Sequence, residues 1–178
     1  MVPPLRRGSV GRRPHRGCHD PGVRGGGGGV SIVVRSFELD DEDAVVALWE
    51  EAGLTRPWND PRADIRRKLT VQPELFLVAV DGGTVVGSVM SGYDGHRGWL
   101  YYLAAAASHR GRGVGRLLVA EAERLLEALG CPKVQLMVRP ENTGARGFYD
   151  ALGYEPFETW ATGKRLVVDG PGGPPPPG

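Results

Sequence analysis

The spacing of apolar residues along positions 30–169 predicts strands and helices that alternate along the chain. Runs rich in β-branched and aromatic side chains predict seven strands, at positions 31–35, 75–80, 84–91, 99–105, 133–138, 154–160 and 164–168. Apolar positions at helical spacing predict four helices, at positions 40–52, 61–69, 114–129 and 142–152. The resulting order, β-α-α-β-β-β-α-β-α-β-β, predicts a mixed α/β domain without internal repeats.

Turn and capping residues mark the ends of several of these elements. Asp60 stands before Pro61, as an N-cap stands before a proline at the first helical position. Gly53 and Gly130 follow two predicted helices, where glycine readily adopts the left-handed conformation that ends a helix. The Asp-Gly-Gly turn at 81–83 lies between two apolar runs and therefore predicts a β-hairpin.

A glycine-rich turn at positions 110–116 joins the strand at 99–105 to the longest predicted helix. The first backbone N–H groups of a helix lack partners, and the helix dipole makes its start electropositive. Glycine lets a ligand approach the backbone closely, and arginine adds charge-assisted donors. The turn therefore predicts a phosphate or pyrophosphate site, formed by Arg110, Gly111, Arg112, Gly113, Val114, Gly115 and Arg116.

The spacing of the glycines narrows the class of ligand. A Walker A loop needs Gly-Lys-Ser/Thr at its end, whereas Gly115 is followed by Arg116. A dinucleotide fingerprint needs Gly-x-Gly-x-x-Gly, whereas these glycines are spaced Gly-x-Gly-x-Gly. This spacing disfavours a generic nucleotide-binding module. What remains is Arg-x-x-Gly-x-Gly, between a strand and a helix.

Two motifs resemble the signatures of the GNAT-type N-acetyltransferase superfamily. The turn at 110–115 is similar to that superfamily's coenzyme A pyrophosphate loop. Positions 142–154 resemble its second signature, Asn-x-x-Ala-x-x-Phe-Tyr-x-x-Leu-Gly-Tyr, in the expected order and spacing. The segment YDGHRG at 93–98 resembles the bacterial YpeA-like subgroup. The resemblance implies the acyl-CoA N-acyltransferase fold, an α/β (α+β) fold with a mixed, mostly antiparallel sheet of about six to seven strands flanked by helices.

The resemblance also implies that acetyl-CoA is the cosubstrate, and it assigns roles to residues along two elements. Backbone groups of Leu103, Ala104 and Ala105 would face the pantetheine arm. One of their N–H groups would polarise the thioester carbonyl and would have to be free of sheet pairing. Tyr149 would act as general acid by giving a proton to the departing thiolate.

Asn142 and Phe148 complete the cosubstrate contacts that the resemblance implies. Asn142 and Tyr149 are seven residues apart, nearly two turns of helix or about 10 Å, so they share a helix face. Each residue also has a structural interpretation from the sequence alone. Tyr149 fits a core aromatic position beside Phe148, and Asn142 fits a helix N-cap.

The acceptor amine must lose a proton before it attacks, and the sequence leaves the general base unassigned. The candidates are Asp94, His96, Tyr101 and Tyr102, directly or through a water. The loop between the first two helices predicts an acceptor wall, formed by Arg56, Trp58, Asn59 and Asp60. Trp58 also fits a core position, and Asp60 fits a simple N-cap. The predicted acceptor-binding residues are therefore Trp58, Asn59, Asp94, His96 and Tyr101.

The charge of the chain is unevenly distributed. Residues 1–29 carry six arginines and one acid, a formal +5, which leaves −4 for the rest of a chain whose total is +1. This segment and residues 170–178 are rich in glycine and proline and poor in apolar residues, so both are predicted to be disordered tails. The basic tail lacks the interleaved aromatics of a nucleic-acid arm, and binding to nucleic acid is not expected. The predicted domain therefore spans residues 30–169.

Cysteine content and hydropathy bear on the cellular location. Cys18 and Cys131 show neither paired nor metal-ligand spacing, which favours a reducing cytoplasm and predicts no metal site. No apolar run approaches about 18 residues, so no membrane span is expected.

The leading interpretation is an N-acetyltransferase in which a primary amine attacks acetyl-CoA directly within a ternary complex. The alternative is a non-catalytic acyl-CoA-binding or regulatory protein. A protein α-amine, a lysine side chain and a small polyamine or aminoglycoside all remain open as acceptors. Both a monomer and a homodimer fit the sequence.

Overall fold

The computed structural model describes residues 31–167 and Asp169. Five strands form one sheet, namely β1 Val33–Ser36, β2 Phe76–Asp81, β3 Thr84–Tyr93, β4 Gly98–Ala105 and β5 Val134–Gln135. Four α-helices accompany it in this part of the chain, namely α1 Glu42–Glu51, α2 Pro61–Leu69, α3 Val114–Ala128 and α4 Thr143–Asp150. Single 3₁₀ turns precede α1, β2 and α3, at Leu39–Asp41, Pro73–Leu75 and Ala107–His109.

The strands lie across the sheet in chain order. The first four pair antiparallel, and β5 pairs parallel to β4 because α3 forms the crossover between them. The parallel pairing covers only two positions, Gly98 with Val134 and Trp99 with Gln135. This mixed, mostly antiparallel sheet flanked by helices confirms the predicted fold class.

The last two predicted strands are wrong, and the sheet has fewer strands than expected. Residues 154–167 contain no strand, and Val168 lies outside the described residues. Pro156 lies inside the first of these two runs and has no N–H to donate to a ladder. Trp160 and Leu166 are 86% and 87% exposed, so no packed surface offsets the entropy cost of ordering strands here. The strand predicted at 133–138 is likewise reduced to Val134–Gln135.

Each face of the sheet carries a core, because successive strand side chains point to opposite faces. On one face, here called the α3 face, α3 packs against Leu77, Val89 and Leu100. On the opposite α1/α2 face, those two helices pack against Phe76 and Val78. The tertiary positions of β4 and of the turn before α3 are fixed from both sides.

Several predictions concern the ends of the chain. The tails predicted at 1–29 and 170–178, together with Cys18, lie outside the described residues.

Cys131 is a free thiol whose Sγ lies 3.3 Å from the Lys133 carbonyl oxygen. Among the described residues, none of the helices has the length and apolar character that crossing a membrane requires. No cluster of metal-ligating side chains occurs in that same part of the chain.

Candidate active site

A β-bulge interrupts the middle of β4. Met90 pairs with Tyr101 and Ser88 pairs with Ala104, so β4 uses one residue more than β3 between these two pairs. Tyr102 lies in the bulge with φ of +50°, which is rare for a residue with a side chain. Its ring stacks on Trp49 of α1 with a centroid distance of 4.1 Å. The packing of α1 thus holds the irregularity in place.

The bulge lies beside a strand edge that β5 leaves open. The Ala106 N–H donates to the Val86 carbonyl at 2.9 Å, toward β3. Because N–H groups alternate along a strand, those of Leu103 and Ala105 point away from β3, whereas Ala104 pairs with Ser88. Parallel pairing with β5 ends at Trp99, so among the described strands this part of the edge has no partner. Two backbone donors therefore face a gap beside β4.

The glycine turn begins just after this edge. Gly111 and Gly113 have φ of +75° and +82°, and a Cβ on either would meet no atom within 4 Å. Gly113 is the N-cap of α3 and has no side chain to cap the helix. The first helical hydrogen bond runs from the Leu117 N–H to the Gly113 carbonyl, 3.0 Å. The N–H groups of 114–116 therefore have no partner within the helix, as an anion site requires, and the surroundings of Gly113 just before them are open.

The cationic side chains of this turn differ in their contacts. Arg112 forms an ion pair with Asp81 at 3.1 Å, and His109 Nε2 lies 3.0 Å from the same carboxylate oxygen. The hydrogen bond with His109 and the charge of Arg112 lower the pKa of Asp81. Arg110 and Arg116 are exposed and form no ion pair with the described residues. The turn is thus tied to the β2–β3 hairpin through Arg112, and the other two arginines remain available to a ligand.

Helix α4 packs beside the start of α3. The Asn142 side chain accepts a hydrogen bond from the Ala145 N–H at 3.1 Å, so it caps α4. The Phe148 ring lies against Gly115. Tyr149 packs edge-on against Phe148 and Tyr154, with centroid distances of 5.1 and 5.3 Å.

The Tyr149 hydroxyl is placed so that it can meet a ligand. Burial raises the pKa of this phenol to about 12. Among the described residues this hydroxyl has no hydrogen-bond partner. It is nevertheless not one of the fully buried polar atoms that lack a partner. It therefore reaches solvent while the ring is held by its neighbours.

A polar network lies at the bulge on the α1/α2 face. The Tyr102 hydroxyl donates to Asp64 Oδ2 at 2.7 Å, and Asn59 Nδ2 donates to the Tyr102 oxygen at 2.8 Å. Burial, and then the hydrogen bond to Asp64, raise the pKa of Tyr102. Sequence reasoning identified Tyr102 and Asn59 but missed Asp64. The sequence feature that could have identified Asp64 is its position one helical turn after the N-cap Asp60, on the face of α2 that meets the sheet.

The other predicted acceptor residues do not gather at the bulge. Asp94 and His96 lie in the β3–β4 turn, and the strand between Gly98 and Leu103 separates them from the open edge by about 17 Å. Asp94 accepts the N–H groups of His96 and Arg97, and these bonds lower its pKa. This carboxylate stabilises its own turn.

The residues predicted as an acceptor wall lie in the loop before α2 and make structural contacts there. Trp58 is half-buried and belongs to neither core, and its carbonyl accepts a hydrogen bond from Arg165 at 3.1 Å. Asp60 accepts the Arg62 N–H at 2.9 Å and is the N-cap of α2. Arg56 donates to carbonyl groups of its own loop. Tyr101 is 46% exposed and lies on the wall of a groove next to the bulge.

Comparison with known proteins agrees with this arrangement. An acetyltransferase of Yersinia pestis (strain Pestoides F) is 53% identical over 136 residues, which cover 76% of this chain and 96% of the relative. The structure of Ard1 from Thermoplasma volcanium matches with a TM-score of 0.63 and 25% identity, over 72% of this chain and 86% of that one. The aminoglycoside N-acetyltransferase AAC(6')-Iy, in complex with CoA, matches with a TM-score of 0.66 and 21% identity, over 78% and 97%.

These similarities define the class of protein as an acyltransferase enzyme. The chain belongs to the acetyltransferase (GNAT) family, whose sequence profile matches residues 42–154. The matched segment runs from the start of α1 to Tyr154, four residues after the end of α4, and includes the bulge and the glycine turn.

Proposed function

We propose that the protein transfers the acetyl group of acetyl-CoA to a primary amine by direct attack within a ternary complex. The observation that carries the proposal is the placement of an uncapped helix start directly after a strand edge with two outward N–H groups. Such a surface can hold a diphosphate at one end and a thioester at the other. The named activity of the Yersinia relative and the CoA complex of the aminoglycoside N-acetyltransferase support the choice of cosubstrate.

The cosubstrate would lie along the turn and the β4 edge. The pyrophosphate accepts hydrogen bonds from the N–H groups of Gly111 and of 113–116, with Arg110 and Arg116 as charged donors, while the Arg112 N–H donates to the His109 carbonyl. The pantetheine arm follows β4 through the gap left by β5. Of the three backbone positions predicted for the thioester, Leu103 and Ala105 offer outward N–H groups, and Ala104 pairs with β3.

The chemistry at the thioester then requires a proton donor. The amine nitrogen forms a bond to the carbonyl carbon, and the carbonyl electrons move to the oxygen, which a β4 N–H stabilises. When the carbonyl re-forms and the C–S bond breaks, the sulfur takes a proton from the Tyr149 hydroxyl. The extra proton on the new amide nitrogen is then lost and restores the phenol, so that the products are the amide and the free thiol. Because burial raises the pKa of Tyr149 to about 12, this phenol is protonated at neutral pH and can serve as the acid.

The attacking ammonium must first lose a proton. Of the four residues considered as base, Tyr102 is the one that the bulge places next to Leu103, and its hydroxyl already donates to Asp64. A proton from the amine can pass to the Tyr102 oxygen while the phenol proton passes to the Asp64 carboxylate. We assign amine deprotonation to this pair.

The finer features of the proposal follow from the sequence. The catalytic domain spans residues 30–169 between two tails, and the chain is a cytoplasmic protein of the YpeA-like subgroup. The acceptor meets the α1/α2 face, where Asn59 donates to the bulge residue Tyr102 and Trp58 precedes Asn59 in the same loop. The chain acts as a monomer or a homodimer.

The proposal is tested by thiol release from acetyl-CoA with a panel of amines and peptides. Wild-type protein should release coenzyme A, and Tyr149→Phe should lower kcat on the order of 10²-fold with an unchanged Kd for coenzyme A. Tyr154→Phe is the matched control, because it removes a phenol hydroxyl from the same aromatic cluster, but that hydroxyl donates to Glu123. Coenzyme A binding without release by any amine would instead identify a non-catalytic acyl-CoA-binding protein. A preference for ATP or NAD would identify a nucleotide-binding module.

A further inference from the structure

A groove of about 290 Å³ opens on the α1/α2 face, between the end of α2 and the strands β3 and β4. Its walls are largely apolar and include Met90, Val71, Trp99 and Tyr101. The rings of Trp99 and Tyr101 are stacked, with centroids 6.3 Å apart and planes within 12°. This stacked pair forms a flat aromatic wall against which a planar or apolar group can pack.

Lys68 contributes a positive charge to this groove. The side chain is half-buried, and its Nζ donates to the Val71 carbonyl at 3.0 Å. Burial lowers the pKa of Lys68 to about 8. No carboxylate of the described residues forms an ion pair with Lys68. The charge of Glu74 opposes this lowering of the pKa from beyond ion-pair distance. An ammonium held partly out of water without a carboxylate in direct contact is costly, and an anionic ligand would relieve that cost.

The acidic residue on the same wall is already engaged. Asp94 Oδ1 accepts two backbone N–H groups at 2.8 and 2.7 Å, and Oδ2 lies 3.2 Å from Trp99 Nε1. Its carboxylate holds the turn and the indole rather than a ligand. Lys68 is therefore a charged group of the groove that has a carbonyl partner but no ion pair with a carboxylate of the described residues.

The groove leads to the position where the thioester is proposed to lie. Tyr101 precedes Leu103 by two residues, about 7 Å along the strand. We propose that this groove is the acceptor subsite, and that the acceptor is a primary amine with a carboxylate on an apolar or aromatic body. Lys68 binds the carboxylate, the aromatic wall packs on the body, and the amine reaches the bulge. This inference rests on the proposed function and excludes polyamines and aminoglycosides, whose second ammonium would meet Lys68.

The test compares two probes that differ only in charge, para-(aminomethyl)benzoate and its neutral amide, para-(aminomethyl)benzamide. Wild-type kcat/KM should favour the carboxylate on the order of tenfold, and Lys68→Met should abolish that preference. Lys68→Arg should retain the preference, and Lys68→Glu should shift it to para-xylylenediamine. Lys133→Met removes an equal charge that does not line the groove, since its Nζ lies 4.7 Å from the centroid of the Phe157 ring, and it should leave the preference unchanged.

Binding of the same probes to the coenzyme A-saturated protein, measured by calorimetry, gives a readout that needs no turnover. The carboxylate should bind on the order of tenfold more tightly than the amide in wild type but not in Lys68→Met. Equal affinity for both probes, or a preference that survives in Lys68→Met, would overturn the inference. If the inference about the acceptor subsite is overturned in this way but the enzyme acetylates other amines, the proposed function still holds. Absence of thiol release with every amine would refute the proposed function whatever the probes show.

Discussion

The Phe148 ring lies so close to Gly115 that a Cβ built on Gly115 would be 3.1 Å from its Cζ atom. Gly115 thus lets α4 pack on the first turn of α3, and this contact sets where Tyr149 stands relative to the turn. As a single substitution, Gly115→Ala should force the Phe148 ring to move by a few tenths of an ångström and should thereby raise the KM for acetyl-CoA. Steady-state kinetics with acetyl-CoA as the varied substrate measures this.

The same contact predicts a coupling in stability. Alanine favours a helix over glycine by about 1 kcal/mol, a gain that the clash with Phe148 opposes. Phe148→Leu removes the far end of the ring. In that variant, the effect of Gly115→Ala on the free energy of unfolding should be more favourable by about 1 kcal/mol than it is in the wild-type protein. Urea unfolding of the four proteins gives the coupling. Additive effects of the two substitutions would show that the contact does not constrain α4.

Gly113 is predicted to serve the ligand as well as the fold. Gly113→Ala forces a side chain into the left-handed region at φ of +82°, which should cost about 1 to 2 kcal/mol. Gly53→Ala is a matched control, because Gly53 has φ of +66°, equally open surroundings and a position at the end of α1. Both variants should lose similar stability in thermal unfolding, and only Gly113→Ala should raise the KM for acetyl-CoA several-fold. Equal KM values would mean that Gly113 has a purely structural role.

The buried hydrogen bond between Trp49 and Ser88 is predicted to stabilise the bulge region. Trp49 Nε1 donates to Ser88 Oγ at 2.8 Å, and both side chains are inaccessible to solvent. Ser88→Ala should cost about 1 to 3 kcal/mol, because it leaves the indole N–H unpaired in the core. Combined with Trp49→Phe, it should cost less than the sum of the two single substitutions, as urea unfolding can measure. A double variant as unstable as that sum would argue against the bond.

Local sequence identified the glycine turn and α4 because their chemistry is carried by neighbouring residues. Gly113 and Asn142 are capping residues, and their positions relative to the following apolar residues mark the helix starts. The hairpin turn and the N-cap at Asp60 follow the same logic. Contacts within a few residues were therefore predictable from the order of residues alone.

Features that depend on tertiary packing were not predictable in this way. The extra residue at Tyr102 appears only when β4 is paired with β3, since the run at 99–105 reads as a regular strand. The sequence did not single out Asp64 or Lys68, because only the folded sheet brings Tyr102 to Asp64 and places Tyr101 on the same groove as Lys68. The segment after Tyr154 has the composition of strands, but strand formation needs a partner edge, which composition does not supply.

The raised pKa of Tyr149 predicts the alkaline behaviour of the enzyme. A general acid works only while protonated, and an ordinary phenol loses its proton near pH 10. Since burial raises the pKa of Tyr149 to about 12, kcat should stay level from about pH 8 to about pH 10.5.

The raised pKa also makes the protonated phenol favour the folded state. That contribution to stability is complete below about pH 10 and is lost as the pH rises toward about 12, so circular dichroism must confirm folding at each pH.

Phenolate absorbance gives a second measure of the pKa of Tyr149, because Tyr149→Phe should remove no phenol that titrates below about pH 11. A decline of kcat centred near pH 10, together with a phenol missing from that range in the variant, would show a solvated tyrosine and contradict the buried acid.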